Sequence, residues 1–144
     1  MRVRRREDAD LEACAALLLR VREATGYPVN LPEDPVGWIA APAEAWVAEL
    51  DGALAGHVAL TPGRDGTALV ERLYVDPDHA RAGIGSTLLR TAVDAARGHG
   101  MSPALEALDR PGGPLPFYAH LGWREVGRRH VEWSKHELVH LVQG

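Results

Sequence analysis

The sequence feature that most constrains the fold is the stretch LYVDPDHARAGIGSTLL, residues 73–89. It begins with apolar and β-branched residues, passes through a Pro-Asp turn and two glycines, Gly83 and Gly85, and continues into a helical pattern. A glycine turn that leads into a helix leaves free backbone N–H groups at the positive end of the helix dipole. The stretch therefore predicts a strand–turn–helix unit whose turn binds an anion such as a phosphate group.

Two common phosphate motifs do not fit this stretch. The P-loop has a lysine after its last glycine, whereas Ser86 and Thr87 follow Gly85 directly. The dinucleotide fingerprint has a third glycine where Leu88 stands, and no parallel βαβ unit precedes it. The glycines of an ordinary turn remain an alternative that needs no ligand.

The rest of the chain predicts a mixed α/β sheet. Asp8 is expected to cap a helix reaching about Ala24, with Leu11, Ala15, Leu18 and Leu19 on one face. Apolar spacing predicts a second long helix over 84–97, ending at Gly98, and shorter helical pieces over 36–40 and 115–122. Strands are expected at 2–6, at 44–50 and 53–61 as a hairpin, at 68–77 and 103–109, and over 123–142 as one or two strands.

Composition excludes several classes of function. The formal net charge is −4 over 144 residues, so no basic surplus indicates a nucleic-acid partner. Arg2, Arg4, Arg5 and Arg6 are followed by acidic residues rather than an apolar segment, and no run is long enough to span a membrane. The one cysteine, Cys14, is expected to be a buried thiol in a reducing cytoplasm.

Three motifs in the expected order resemble the GNAT superfamily, the acyl-coenzyme-A-dependent N-acyltransferases. They are LYVDP on a strand, GIGSTLL at the start of the long helix, and FYAHLGW at 117–123. The order of elements also agrees from residue 1 to about residue 126. The resemblance implies a single α/β (α+β) domain over 1–144, with a mixed, mostly antiparallel sheet of six to seven strands and about four helices. It also implies acetyl-CoA as the acyl donor and no metal.

By that resemblance, the amides of the glycine loop hold the pyrophosphate of coenzyme A, and the backbone of Leu73 and Val75 pairs with the pantetheine arm. The implied cofactor-binding residues are Leu73, Tyr74, Val75, Arg81, Ala82, Gly83, Ile84, Gly85, Ser86, Phe117 and Tyr118. The sequence departs from the family at Ala80 and Ala82, where Gln or Arg and a basic residue are usual. Arg81 is the remaining local cation, with a solvated surface charge as the alternative. Pro111 also replaces the usual asparagine, which leaves Asp109 or backbone groups for that contact.

The chemistry of amide formation defines two catalytic roles. A protonated amine must lose a proton before it attacks a thioester, and a phenol with a pKa near ~10 can protonate a leaving thiolate of pKa ~8.5. Tyr118 occupies the position of the family's acid, with an aromatic wedge as the alternative role. Glu106, twelve residues before Tyr118, and Glu71, on the strand parity of Leu73, are both candidate bases. Either glutamate is alternatively a solvated strand residue.

The acceptor side is the least specified. By the resemblance, the loop after the first helix and the last strands line it, and the candidate residues are Tyr27, Asn30, Trp38 and His57, with Glu33, Asp34 and Trp133 nearby. Aromatic rings beside carboxylates suit a cationic amine, so a small-molecule or peptide amine is expected, without nucleic acid or membrane. His57 is alternatively a packed histidine, and His136 and His140 lack a third metal ligand. A homodimer is compatible with this interpretation, and a non-catalytic acyl-CoA sensor is the alternative function.

Overall fold

A computed structural model describes residues 1–143. The strands are β1 (Arg2–Arg5), β2 (Glu44–Leu50), β3 (Ala53–Pro62), β4 (Thr67–Val75), β5 (Ser102–Leu108), β6 (Trp123–Val131) and β7 (Ser134–Gln143). The helices are α1 (Leu11–Thr25), α2 (Pro35–Ala40), α3 (Ile84–Gly98) and α4 (Leu115–His120). Seven strands form one sheet in the order β1-β2-β3-β4-β5-β7-β6. The predicted fold class and the four helices are confirmed.

The sheet is mixed because one central pair of strands runs parallel. β4 and β5 pair in parallel from Thr67 opposite Ser102, whereas β5 with β7 and β6 with β7 are antiparallel. The predicted β2–β3 hairpin closes on a two-residue turn, Asp51-Gly52, with φ of 53° and 81°. Positive φ at both turn positions matches the right-handed twist of the flanking strands.

Two compact units make up the described chain. The first comprises residues 1–61 and 70–95, and its core joins α1 to Ile39, Val47 and Tyr74. In this unit α3 approaches β3 closely at Gly56, where an added Cβ would lie 2.7 Å from Leu88 Cδ1. The second unit comprises residues 62–69 and the chain from 96 onward, with a small apolar cluster of Leu108, Val131 and Leu138. A single domain over 1–144 stays a prediction.

The first helix differs from the prediction at its start and on one face. A 3-10 turn, Asp8–Asp10, precedes α1, with Glu7 at the N-cap position of that turn. Asp10, rather than the predicted Asp8, occupies the N-cap position of α1. Leu19 was expected on the buried face, but 47% of it is exposed. The buried stripe is centred between Cys14 and Leu18, and each residue turns about 100° around a helix, so Leu19 lies outside the stripe.

Candidate active site

The turn between β4 and α3 is anchored by Asp76. Asp76 is 6% exposed, and its carboxylate accepts hydrogen bonds from the Asp78 amide at 2.9 Å and from the Arg20 guanidinium. Burial opposes ionisation of Asp76, but the bonds from Arg20 and Asp78 outweigh it and lower the pKa of this carboxyl. Its backbone accepts from His79 N–H and donates to Ala55 O, so the turn is fixed to β3. The role of Asp76 was not predicted from the sequence, although Asp-Pro-Asp is a recognisable turn signal.

The turn delivers the chain to α3 through Gly83, whose φ is +77°. Glycine adopts this left-handed conformation without the steric cost of a side chain. The first helical hydrogen bond runs from Thr87 N–H to Gly83 O, 3.1 Å. The amides of Ile84, Gly85 and Ser86 precede that bond, so the helix offers them no acceptor. Three N–H donors therefore stand at the positive end of α3.

The other predicted loop residues contribute less. The amide of Ala82 donates to His79 O at 3.1 Å and is used inside the turn. The side chain of Ile84 is 1% exposed and belongs to the core. Arg81 is exposed and makes no ion pair within residues 1–143, so its guanidinium is available to an anion. An anion placed here would meet backbone amides and one cation.

The strand β4 enters this turn with alternating burial. Val70 and Tyr74 are buried, whereas Glu71, Leu73 and Val75 are half-buried. The Tyr74 hydroxyl donates to Cys14 O at 2.9 Å, and burial raises the pKa of Tyr74 well above its usual range. The side chain of Tyr74 is therefore part of the core and is not open to a ligand.

Arg72 interrupts β4 with a φ of 52°. A non-glycine residue in this region costs on the order of 1–3 kcal/mol unless its surroundings hold it. Its Nε donates to Trp38 O at 2.9 Å, and its guanidinium lies 4.3 Å over the Trp38 ring. Burial lowers the pKa of Arg72, and the side chain forms an ion pair with Glu71. The candidate base Glu71 is therefore already paired with a cation.

His57 is completely buried on β3. Its Nδ1 lies 2.9 Å from Arg72 O and its Nε2 lies 3.1 Å from an Arg6 nitrogen. Burial lowers the pKa of His57 to about 4. Both ring nitrogens are occupied by protein groups, so His57 is the packed, hydrogen-bonded histidine, without the exposed face that a substrate contact requires.

The other predicted acceptor residues are divided between core and surface. Tyr27 and Trp38 are half-buried and pack against the core of the first unit, and the Tyr27 ring lies 6.5 Å from the Tyr74 ring. Asn30 is exposed on the loop after α1. Asp34 caps α2 by accepting from Gly37 N–H at 3.1 Å. The structure thus brings Tyr27 and Trp38 to one cluster and leaves Asn30 outside it.

In the second unit, Tyr118 lies on α4 with its ring packed edge-on against Phe117 and Trp123, at centroid distances of 5.3 and 6.3 Å. Its hydroxyl forms no hydrogen bond with any of residues 1–143. Burial raises the pKa of Tyr118 to about 12. The half-buried ring therefore has aromatic contacts on α4 and β6, and its hydroxyl has no protein acceptor in the described part of the chain.

Glu106 is exposed on β5, directly opposite His140 of β7. Its Oε2 lies 3.1 Å from His140 Nδ1 and 3.5 Å from Arg129 Nη2. A carboxylate that accepts a proton here has a histidine within hydrogen-bond reach to pass it on. Asp109, which follows the end of this strand, accepts from Arg128 at 3.1 Å and is held in a cluster of exposed charges.

The described residues contain no group of three or more His, Cys, Asp and Glu side chains that could hold a metal ion. None of the helices in this part of the chain has the length and apolar character needed to cross a bilayer.

Known proteins share part of this sequence and the fold. Human N-acetyltransferase 8 is 30% identical over 104 residues, which cover 67% of this chain and 46% of that protein. The ribosomal-protein-S18-alanine N-acetyltransferase from Escherichia coli is 19% identical, with a TM-score of 0.79, covering 99% of this chain and 92% of that one. An aminoglycoside 6′-N-acetyltransferase complexed with coenzyme A is 16% identical, with a TM-score of 0.83, covering 99% and 96%.

The chain spans less than half the length of the curated relatives it matches. The two structural likenesses fall below 25% identity and show the fold alone. The sequence model described as the acetyltransferase (GNAT) family matches residues 11–123, which is most of the chain. The protein therefore belongs to the GNAT acetyltransferase family.

Proposed function

We propose that this protein is an acetyl-CoA-dependent N-acetyltransferase that acts on a primary amine by direct attack within a ternary complex. The observation that carries the proposal is the start of α3, where Gly83 presents three amides that the helix leaves without acceptors. Such a helix start suits the pyrophosphate of a coenzyme. A related fold, the aminoglycoside acetyltransferase, is described in complex with coenzyme A.

For donor binding, the amides of Ile84, Gly85 and Ser86 hold the pyrophosphate, and Arg81 adds a positive charge. The backbone of Leu73 and Val75 pairs with the pantetheine arm. Tyr74 and Ala82 contribute backbone atoms only, because the Tyr74 side chain is buried and Ala82 carries no polar side chain. Phe117 contributes apolar contact from an exposed ring. The site needs few basic side chains because the helix start supplies the positive charge.

The transfer step is an attack of the neutral amine nitrogen on the thioester carbonyl carbon. Glu106 or Glu71, directly or through water, accepts the proton that the amine loses. The C–S bond breaks, sulfur leaves with the electron pair, and the Tyr118 hydroxyl protonates it. With its pKa raised to about 12, the phenol keeps its proton at neutral pH. No covalent enzyme intermediate is needed, and burial raises the pKa of Cys14 to about 11, which disfavours a thiolate nucleophile.

The acceptor in this proposal is a small-molecule or peptide amine. The half-buried ring of Tyr27 supports it, because aromatic faces attract cationic amines before deprotonation. Trp38, whose ring already carries the Arg72 guanidinium, belongs to the same cluster. The names of the related proteins include both classes, an aminoglycoside and a ribosomal-protein alanine. The single buried cysteine suits the reducing cytoplasm, where we place the enzyme.

A non-catalytic acyl-CoA sensor is the second candidate function. It is favoured by Ala80, Ala82 and Pro111, which stand where family members usually carry groups that contact the coenzyme. The sensor and the enzyme share a donor site and differ in whether any amine is acetylated.

Two measurements separate these functions. Thermal stabilisation by acetyl-CoA, compared with coenzyme A, tests the donor site. Release of free thiol is then followed in the presence of aminoglycosides, amino acids and short peptides with free N-termini. Stabilisation with thiol release supports the enzyme, and stabilisation without release from any amine supports the sensor. If neither coenzyme stabilises the protein, both functions are wrong.

A further inference from the structure

Arg72 in β4 adopts a left-handed conformation that its residue type does not favour, and contacts with other parts of the chain hold it there. Arg72 is neither glycine nor asparagine, and it stands in the middle of a strand with a φ of 52°. Such a conformation persists only where the surrounding structure determines it. The side chain of Arg72 is fixed by Trp38, and its carbonyl oxygen faces the buried ring of His57.

The partners of His57 define its tautomer. A carbonyl oxygen only accepts, so Nδ1 must carry the proton that it donates to Arg72 O at 2.9 Å. A guanidinium only donates, so the lone pair of Nε2 must accept from Arg6 at 3.1 Å. One neutral tautomer satisfies both contacts, and protonation of the ring would set two cations against each other.

The ring cannot turn away from these partners. Arg6 is itself fixed by donating to Ile39 O at 2.6 Å and to Pro42 O at 3.2 Å. On its face, the imidazole stacks on Tyr74 with centroids 5.1 Å apart and an interplanar angle of 17°. The Tyr74 hydroxyl in turn donates to Cys14 O on α1. His57 is therefore a rigid donor aimed at the Arg72 carbonyl.

We propose that His57 is a positioning residue: by holding the Arg72 carbonyl it fixes the left-handed break in β4 and so sets the backbone of Leu73 and Val75 for the pantetheine arm. This inference rests on the proposed function. Leu73 follows Arg72 directly, so any change in the Arg72 dihedral angles redirects the donors and acceptors of the two residues that pair with the coenzyme.

In the clamp formed by Arg6, His57 and Arg72, the His57 ring stays neutral near pH 7. The charged groups that face the ring are the guanidinium groups of Arg6 and Arg72, and the Tyr74 phenol is neutral. Burial and both guanidinium groups lower the pKa of His57 to about 4. A role in positioning therefore predicts no titration of His57 in the pH–rate profile at neutral pH, unlike a role in proton transfer.

The clamp is tested first in the unaltered protein by long-range ¹H–¹⁵N NMR of the histidine rings at pH 7. We expect His57 to be neutral with its proton on Nδ1. A ring protonated on Nε2, or a charged ring, would overturn the assignment whether or not the protein binds coenzyme A.

The consequence for the coenzyme is tested with two variants and a control. His57→Asn keeps an N–H near the Nδ1 position, whereas His57→Phe keeps a ring without any donor. Val58→Ala is the control, since Val58 is equally buried on β3 and makes no side-chain hydrogen bond. We expect the Kd for acetyl-CoA to rise about tenfold in His57→Phe. In His57→Asn and Val58→Ala the Kd should rise at most about threefold.

The pH dependence of kcat should be unshifted in both His57 variants. Equal Kd values in His57→Phe and the unaltered protein would overturn the positioning role. Equal increases in His57→Phe and Val58→Ala would assign the effect to packing and would also overturn it. Absence of acetyl-CoA binding in the unaltered protein would instead contradict the proposed function. If His57→Phe does not fold, His57→Leu, which also lacks a donor, takes its place, and a Kd no higher in His57→Leu than in His57→Asn and Val58→Ala would contradict the clamp.

Discussion

Thr87 donates both its backbone N–H, at 3.1 Å, and its Oγ1 hydroxyl, at 2.9 Å, to the carbonyl oxygen of Gly83. This double contact fixes the first turn of α3 and the left-handed glycine before it. The three amides between Gly83 and Thr87 are thereby held pointing out of the helix. In the proposed function, the pyrophosphate of the coenzyme binds through this local geometry more than through any basic side chain.

Gly83→Ala is expected to destabilise the protein by about 1–2 kcal/mol, because alanine at a φ of +77° clashes with its own backbone. An added Cβ meets no other atom within 4 Å, so the cost is conformational only. Relief of that strain by local rotation would move the amides and weaken acetyl-CoA binding. Urea denaturation and calorimetric titration measure the two effects. Gly98→Ala, at the end of the same helix with equally open space around it, should leave acetyl-CoA binding unchanged and should not destabilise the protein, because alanine favours the helical backbone.

Tyr118→Phe should lower kcat by about 10²–10⁴-fold if the phenol protonates the leaving sulfur. Thermal stability should hardly change, because the ring contacts remain and the hydroxyl has no hydrogen-bond partner within residues 1–143. Steady-state kinetics and a melting curve on the same preparation provide the two numbers. Full turnover in Tyr118→Phe across alkaline pH would remove the phenol from the mechanism and leave the aromatic wedge.

Glu106→Gln and Glu71→Gln should differ in stability as well as in activity. Removing the Glu71 carboxylate leaves the partly buried Arg72 cation without its ion pair, so the free energy of unfolding should fall by more than ~1 kcal/mol. Glu106 is exposed, and its partners reach solvent, so Glu106→Gln should cost less than ~1 kcal/mol. The variant that loses the acidic limb of the kcat/KM profile identifies the base.

Unshifted pH profiles in both glutamate variants would exclude both side chains as bases. The proton from the amine would then pass to water without help from either glutamate. An unchanged unfolding free energy in Glu71→Gln would contradict the ion pair with Arg72.

The order of strands and helices could be predicted from sequence because it depends on local signals. The Asp51-Gly52 turn, the glycine before α3 and the apolar spacing of α3 each specify their own conformation. The resemblance of residues 73–89 and 117–123 to GNAT motifs then predicts the fold. The prediction that Leu19 lies on the buried face was wrong, because the centre of the buried stripe on α1 depends on which neighbours the helix contacts.

The inner support of the site could not be predicted in the same way. Arg72 has no intrinsic preference for a left-handed conformation, and its conformation depends on contacts from His57, 15 residues away, and Trp38, 34 residues away. A lone histidine between apolar neighbours gives no signal of which carbonyl it will reach. Such long-range hydrogen bonds follow from the folded topology and not from spacing along the chain.

Ala82→Arg should strengthen acetyl-CoA binding several-fold, at about 0.5–1 kcal/mol for one added cation near the helix start. Ala82 is exposed, so the longer side chain needs no rearrangement of the core. The gain should shrink as ionic strength rises, because exposed charges are screened. Titration at two salt concentrations measures it, and Ala82→Gln is the uncharged control. An equal gain from Gln, or none from Arg, would contradict a pyrophosphate beside this position.

Stability should fall as the pH falls from about 6.5 to about 4, through the titration of His57. The pKa of His57 is lowered to about 4 in the folded protein from 6.5, so the unfolded chain binds the proton more tightly. The contribution of the neutral ring is thus fully present above about pH 6.5 and is lost as the pH falls through this window. At 1.36 kcal/mol per pKa unit, the loss amounts to about 3 kcal/mol. Urea denaturation at about pH 7.5, 5.5 and 4.5 measures this dependence of the free energy of unfolding on pH. The slope should be shallower in His57→Asn than in the unaltered protein, because asparagine does not titrate. Parallel slopes would mean that other groups cause the loss.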